Sequence, residues 1–121
     1  MANLPKRFKR RADFLRLAAQ GRKIVKPGFV LQALKDTPAA EPVVGFTATK
    51  KLGNAVIRNR AKRRLREAAR LVLAERPAQA VELVLVGRRE TGTMEFARLR
   101  QNLALALDEV LLDTAPTGVR A

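Results

Sequence analysis

KKLGNAVIRNRAKRRLREAAR, residues 50–70, holds nine of the chain's 25 basic residues against a single acid, Glu67. Gly53 and Asn54 open the stretch, and no breaker follows before Pro77. At 100° per residue, Ile57, Ala61, Leu65, Ala68 and Val72 fall within about 80° of one another, an apolar stripe down one side of a helix. Asn59, Lys62, Arg63, Arg66 and Arg70 fall opposite, while Arg58, Arg60 and Arg64 flank the stripe. A helix running to about residue 75, roughly 33 Å long at its usual rise, therefore buries one face and presents a cationic one.

Alone, such a helix repels itself. Arg58/Lys62, Arg60/Arg64, Lys62/Arg66 and Arg66/Arg70 are like-charge pairs at i,i+4, each costing about 0.2–0.5 kcal/mol. Only Arg63/Glu67 opposes them, in the weaker orientation. Lys50, Lys51 and Arg58 crowd the helix start, where the macrodipole favours anions. A face that merely meets solvent usually mixes its signs. This one does not, so the better reading is an anionic partner, phosphate first.

Working outward, KKLGN reads as a tight strand-to-helix junction. Gly53 permits backbone forbidden to other residues, and Asn54 is a good N-cap. VVGFTAT (43–49) before it reads as a strand, and VELVLVG (81–87), beyond the helix-breaking RPAQA, is apolar enough for the middle of a sheet. Residues 43–87 thus form a βαβ unit whose helix carries the cationic face. Upstream lie a basic arm (1–11), a short helix at about 12–20 with Gly21 as its C′ stop, and a strand at 29–35. DTPAAEP (36–42) reads as a turn between antiparallel strands. Downstream, Phe96, Leu99, Leu103, Leu107, Val110 and Leu111 mark a core-packing helix over about 94–112, and 113–121 reads as a frayed tail. One more short strand has room at 22–27 or 50–53. The expected fold class is α+β: one domain over 1–121, a small two-layer α/β sandwich with helices against a mainly antiparallel sheet.

Composition bounds the partner. The net charge is +14, and two clusters carry it: residues 1–26 and 50–70 each contribute +8, so the remainder sums to −2. A directed basic surface implies a polyanion, nucleic acid before an acidic membrane. The chain has no Cys and no His, which removes zinc fingers, thiol or imidazole catalysis and disulfides together. No paired-carboxylate motif and no nucleotide-binding glycine loop stands out. The expectation is no catalytic side chain and no metal held by the protein. The opening MANLPKRFKRRADF has no apolar signal core and no run approaches 18 apolar residues, so a cytoplasmic protein with no membrane partner is expected. Phe8 and Phe14 sit among cations, the pattern that grips single-stranded nucleic acid by stacking and backbone tracking. For Phe14 an ordinary core position is an equal alternative.

GNAVIRNRAKRRLREA with its preceding lysines closely resembles the "RNR" motif of the bacterial ribonuclease P protein component. RFKRRADFLRLAAQG is similar to that family's first helix, FVLQAL and VVGFTATKK to its early strands, and VELVLVGRRE to the strand after the motif helix, so the likeness covers roughly residues 5–112. The resemblance implies the order αβββαβα, with a left-handed crossover around the motif helix against the usual preference. It implies an RNA-binding subunit of a ribonucleoprotein endoribonuclease, in which a catalytic RNA removes the 5′ leader of precursor tRNA using magnesium held through the RNA. It places Lys50, Lys51, Asn54, Arg58, Asn59, Arg60, Lys62, Arg63, Arg66 and Arg70 on the catalytic RNA. It places Phe14 at a cleft for the single-stranded leader, with Gln32 on the strand expected to line it; Arg7, Phe8 and Arg11 of the basic segment are expected at the same cleft.

Two positions depart from the family pattern: Ala18 and Gln32 stand where some members carry aromatics, which shifts the leader grip from stacking toward hydrogen bonding and charge. The partners implied are the catalytic RNA and precursor tRNA, with the free protein a monomer. The competing class is a structural RNA-binding protein of another particle such as the ribosome, which needs no leader cleft. Duplex-DNA recognition suits the helix less well, because its arginines point to several sides rather than forming a short base code.

Overall fold

The computed structural model describes residues 6–8, 10–35, 42–76 and 81–112. In chain order these form strand β1 (Lys6–Arg7), helix α1 (Arg11–Gln20), strands β2 (Arg22–Lys26), β3 (Phe29–Lys35) and β4 (Val43–Thr47), a 3-10 turn (Lys50–Leu52), helix α2 (Ala55–Ala74), strand β5 (Val81–Gly87), a second 3-10 turn (Arg89–Gly92) and helix α3 (Phe96–Leu112). After the two-residue β1, the order is αβββαβα, as the resemblance implies.

The sheet runs β1-β4-β5-β3-β2. β5 pairs antiparallel with β3 on one side and parallel with β4 on the other, which makes β4–α2–β5 the expected βαβ unit. VELVLVG takes the centre because a strand apolar on both faces is stable only when covered on both. Consequently β3 and β4 do not form a hairpin: they point in opposite directions with β5 between them. The stretch expected to turn between them (36–41) lies outside the described residues, as do 77–80 and the 113–121 tail.

Alternation along the strands sorts the sheet into two faces. One face carries Ile24, Phe29, Leu31, Ala33, Val44, Val81, Leu83 and Leu85, all buried, and packs against Leu65, Ala68, Ala69 and Val72 of α2 and Leu99, Leu103, Ala106, Leu107 and Val110 of α3. The other face carries Gly45, Glu82, Val84 and Gln32, and α1 lies across part of it, burying Leu17 completely. The two-layer body of sheet and paired helices thus has a third helix on its second face.

Several local expectations are resolved or changed. The additional strand is β2, joined to β3 by Pro27-Gly28, with Gly28 at φ 98; proline presets the first turn position and glycine supplies the positive φ of the second. Residues 50–52 form a 3-10 turn instead, closed by Gly53 at φ 143. The basic arm is not free at Lys6–Arg7, which pair with Val43 and Val44, so β4 gains an edge partner. Gly21 ends α1 in extended backbone (φ −74) rather than a left-handed cap. Its requirement is space: an added Cβ would lie 2.6 Å from the Leu17 carbonyl oxygen and 3.2 Å from the Ala33 backbone.

Candidate RNA interface

Helix α2 starts where expected, because the Asn54 side chain accepts a 3.0 Å hydrogen bond from the Ile57 N–H. Asn54 is therefore occupied as a cap. Its buried residues are Ala61, Leu65, Ala68, Ala69 and Val72. Compared with the stripe read from periodicity, Ala69 is gained and Ile57 is lost, which rotates the buried face by about 25° at 100° per residue. Ile57 is 45% exposed and Val56 76% exposed. Ile57 leans back on Gly53, whose absent Cβ would lie 2.8 Å from the Ile57 Cδ1.

That rotation divides the cations. Lys50, Lys51, Arg63 and Arg66 are exposed, as is the neutral Asn59, and none of the four cations is held by an ion pair to another described residue. Arg58 and Lys62 fall toward the sheet and are half-buried; the Arg58 Nε is enclosed and meets no acceptor among the described residues. Arg60 and Arg64 turn to the other flank and grip the second 3-10 turn. Arg60 Nε donates to the Gly92 carbonyl at 2.8 Å, and Arg64 Nε donates to the Thr91 carbonyl at 2.9 Å. Arg64 also donates to the Met94 carbonyl and stands 5.8 Å over the Phe96 ring. Thr91 is itself buried and ties the turn to the Gly28 carbonyl and the Arg88 N–H. Arg64 is thus an internal strut.

Arg70 pairs with Glu67, one turn back, rather than Glu67 pairing with Arg63. The Arg70 guanidinium holds the Glu67 carboxyl below its usual range, chiefly through that hydrogen bond, and Arg70 is raised in turn. Both groups are exposed, so the pair contributes little stability but removes one charge from the face. Periodicity also gave no hint of Arg76, which holds Asp108 of α3 at 2.9 Å and caps the Val72 carbonyl at 3.0 Å.

On the second sheet face, the rung Gly45–Val84–Gln32–Lys23 runs in register across β4, β5, β3 and β2. The next rung on the same face is Thr47–Val86–Val30–Val25. Its valines are partly open, with Val25 63% exposed. Phe14 of α1 and Phe8 beyond β1 stand at the Gly45 end, edge to face, with ring centroids 6.0 Å apart and planes 63° apart. Both rings are half-buried. Gly45 and Val84 are themselves covered, so the open part is a shallow trough from Gln32 to those valines, with the two rings at its Gly45 end and exposed Arg11 at the start of α1.

Arg7 does not join it. Opposite Val44, Arg7 faces the helix-covered side, where its guanidinium stands 5.8 Å from the Phe46 ring centroid. Helix α1 is tied to the sheet through Glu82, an acid near the start of β5 that is only 5% exposed. Arg16 meets it at 2.6 Å and also meets Asp13 at 3.2 Å. These contacts, Glu82 before Asp13, raise the Arg16 pKa against the opposing effect of burial. One acid within VELVLVG was the available signal for this anchor.

Comparison with known proteins places the chain in a family. The model for the family described as Ribonuclease P matches residues 3–111. The ribonuclease P protein component of Gluconacetobacter diazotrophicus is 50% identical over 107 residues, covering 88% of this chain and 92% of that one. That of Paramagnetospirillum magneticum is 46% identical over 108 residues, covering 86% and 81%. Among solved structures, the RNase P protein of Staphylococcus aureus superposes with a TM-score of 0.72 at 27% identity, covering 86% of this chain and 94% of that one. The RNase P protein of Thermotoga maritima gives 0.73 at 26% identity, covering 86% and 96%.

Proposed function

The chain belongs to the ribonuclease P protein family and is a protein subunit of that ribonucleoprotein endoribonuclease of tRNA 5′ processing; from this premise we propose how it serves the RNA. Two separate surfaces divide the work. The exposed cations of α2 and its entry turn (Lys50, Lys51, Arg63 and Arg66), with the neutral amide of Asn59 beside them, meet phosphates of the catalytic RNA. Arg58, Arg60 and Lys62 lie at the margins of that face, and Arg70 joins it when released from Glu67. The trough on the other sheet face, with Phe8, Phe14, Gln32 and Arg11, receives the single-stranded leader of precursor tRNA.

The observation that carries this reading is the placement of those surfaces on opposite faces of one sheet. α2 packs on the core face, and the trough opens on the face that α1 only partly covers. A rigid body with a cationic helix on one side and an apolar, aromatic-walled groove on the other can bridge two polyanions. It offsets their repulsion where they must approach. Neutralised phosphates release counterions, and stacked bases are held without sequence readout.

Catalysis belongs to the RNA in this scheme. The same scheme assigns the magnesium ions to the RNA. The protein is a single RNA-binding domain, monomeric when free, and works in the cytoplasm. Among the described residues no helix is long and apolar enough to cross a membrane. The test is direct: add the protein to a bacterial catalytic RNA at low magnesium and follow cleavage of precursor tRNA. Restored 5′ maturation is the expected result, and no gain over RNA alone would refute the subunit's proposed role.

A further inference from the structure

We propose that Gly45 is a positioning residue for leader binding: its missing side chain is the socket in which Phe14 and Phe8 are seated to form the wall of the trough. This deepens the leader-trough reading and rests on it. A Cβ placed on Gly45 would lie 2.7 Å from Cε1 and 2.9 Å from Cζ of Phe14, and 3.0 Å from Cδ2 of Phe8. Those distances are below ordinary carbon contact, and both aromatic side chains are involved at once. The two rings come from different elements, α1 and the segment after β1, yet they meet over this one position.

The local architecture explains why the rings cannot simply settle elsewhere. Phe8 is tethered by its backbone N–H to the Val44 carbonyl at 3.0 Å, one residue before Gly45. Phe14 is carried on a helix held to the sheet by the Arg16–Glu82 ion pair at 2.6 Å and by fully buried Leu17. With both backbones anchored, an added methyl group displaces the rings by rotation about their side-chain bonds. Rotated along the sheet face, the rings would move toward half-buried Gln32 and the partly open Val30 and Val86, where a base would rest. No positive φ marks Gly45, so alanine suits its backbone, and in a strand interior alanine is the more favourable residue. Glycine here gives up local strand stability for an open trough.

The experiment compares Gly45→Ala with the unsubstituted protein, each assembled with a bacterial catalytic RNA. It measures affinity for precursor tRNA with a short single-stranded leader and for the same tRNA without one. Gly45→Ala is expected to bind the leader-bearing RNA about five- to twenty-fold more weakly, the scale of one lost aromatic–base stack. Affinity for leaderless tRNA stays as it was, and the melting temperature of the free protein does not fall. A double-mutant cycle with Phe14→Ala separates seating from general damage: in that background Gly45→Ala should add no further loss. If Phe14→Ala lowers the melting temperature, the same cycle run with Phe8→Ala supplies the readout.

Two results would overturn the assignment: full leader discrimination by Gly45→Ala, or an equal loss whether or not the rings are present. Equal affinity for the two RNAs in the unsubstituted protein would instead remove the trough reading, and this inference with it.

Discussion

Arg64 and Arg66 lie two positions apart in one basic run and do opposite things. Arg66 is exposed and unheld among the described residues, whereas Arg64 is spent on the carbonyls of Thr91 and Met94 and the face of Phe96. Arg66→Ala should leave stability within about 0.5 kcal/mol while lowering the log–log salt slope of RNA binding by about 0.7–0.9; a salt titration with a parallel melt checks both. Arg64→Ala should instead cost about 1.5–3 kcal/mol, as lost hydrogen bonds from a charged donor do. Lysine should not restore it, because a point charge cannot reach two carbonyls as a planar fork does. Denaturant midpoints of the two variants decide the matter. Composition cannot separate such residues: both are arginines, and only the partner across space differs.

At the scale of an element, α2 is a helix whose ends and outer face are chemically opposed. Its N-terminus carries cations where anions are favoured, so it depends on Asn54, and Asn54→Ala should lower stability by about 1 kcal/mol, read as a loss in a thermal melt. On its outer face Glu67 holds Arg70 and subtracts from the field presented to RNA. Glu67→Gln should therefore steepen the salt slope by about 0.7–0.9, opposite in sign to Arg66→Ala. Acid should act in the same direction. Glu67 is held below the usual carboxylate range, so the pair is intact at neutral pH and is lost only as pH falls through that lowered value. Asn54 could be named from its place before the helical run. The Glu67 partner could not, since i,i+3 and i,i+4 choices depend on side-chain rotamers.

For the whole molecule, the two proposed surfaces lie on opposite faces of the sheet, so changes to one should spare the other. Glu82→Ala removes the partner of Arg16 and loosens α1 on its face, a loss of about 1–3 kcal/mol. It should weaken binding of leader-bearing precursor tRNA while leaving affinity for catalytic RNA unchanged; equal losses on both RNAs would count against independent surfaces. Six phosphate contacts on the α2 face would give a salt slope of about −4 to −5 for catalytic RNA, and a flat profile from low to moderate salt would remove the electrostatic account.

The chain alone determined its α+β class, the βαβ unit around the basic helix, the central place of VELVLVG and the cap at Asn54. Each follows from local periodicity, apolarity or a short capping signal, which act within a few residues. Tertiary structure alone decided that β5 lies between β3 and β4, that Arg7 faces away from the trough, that Arg64 is an internal strut and that Gly45 seats two rings. Those outcomes depend on which distant surfaces touch, and contacts across a fold leave no period in the sequence.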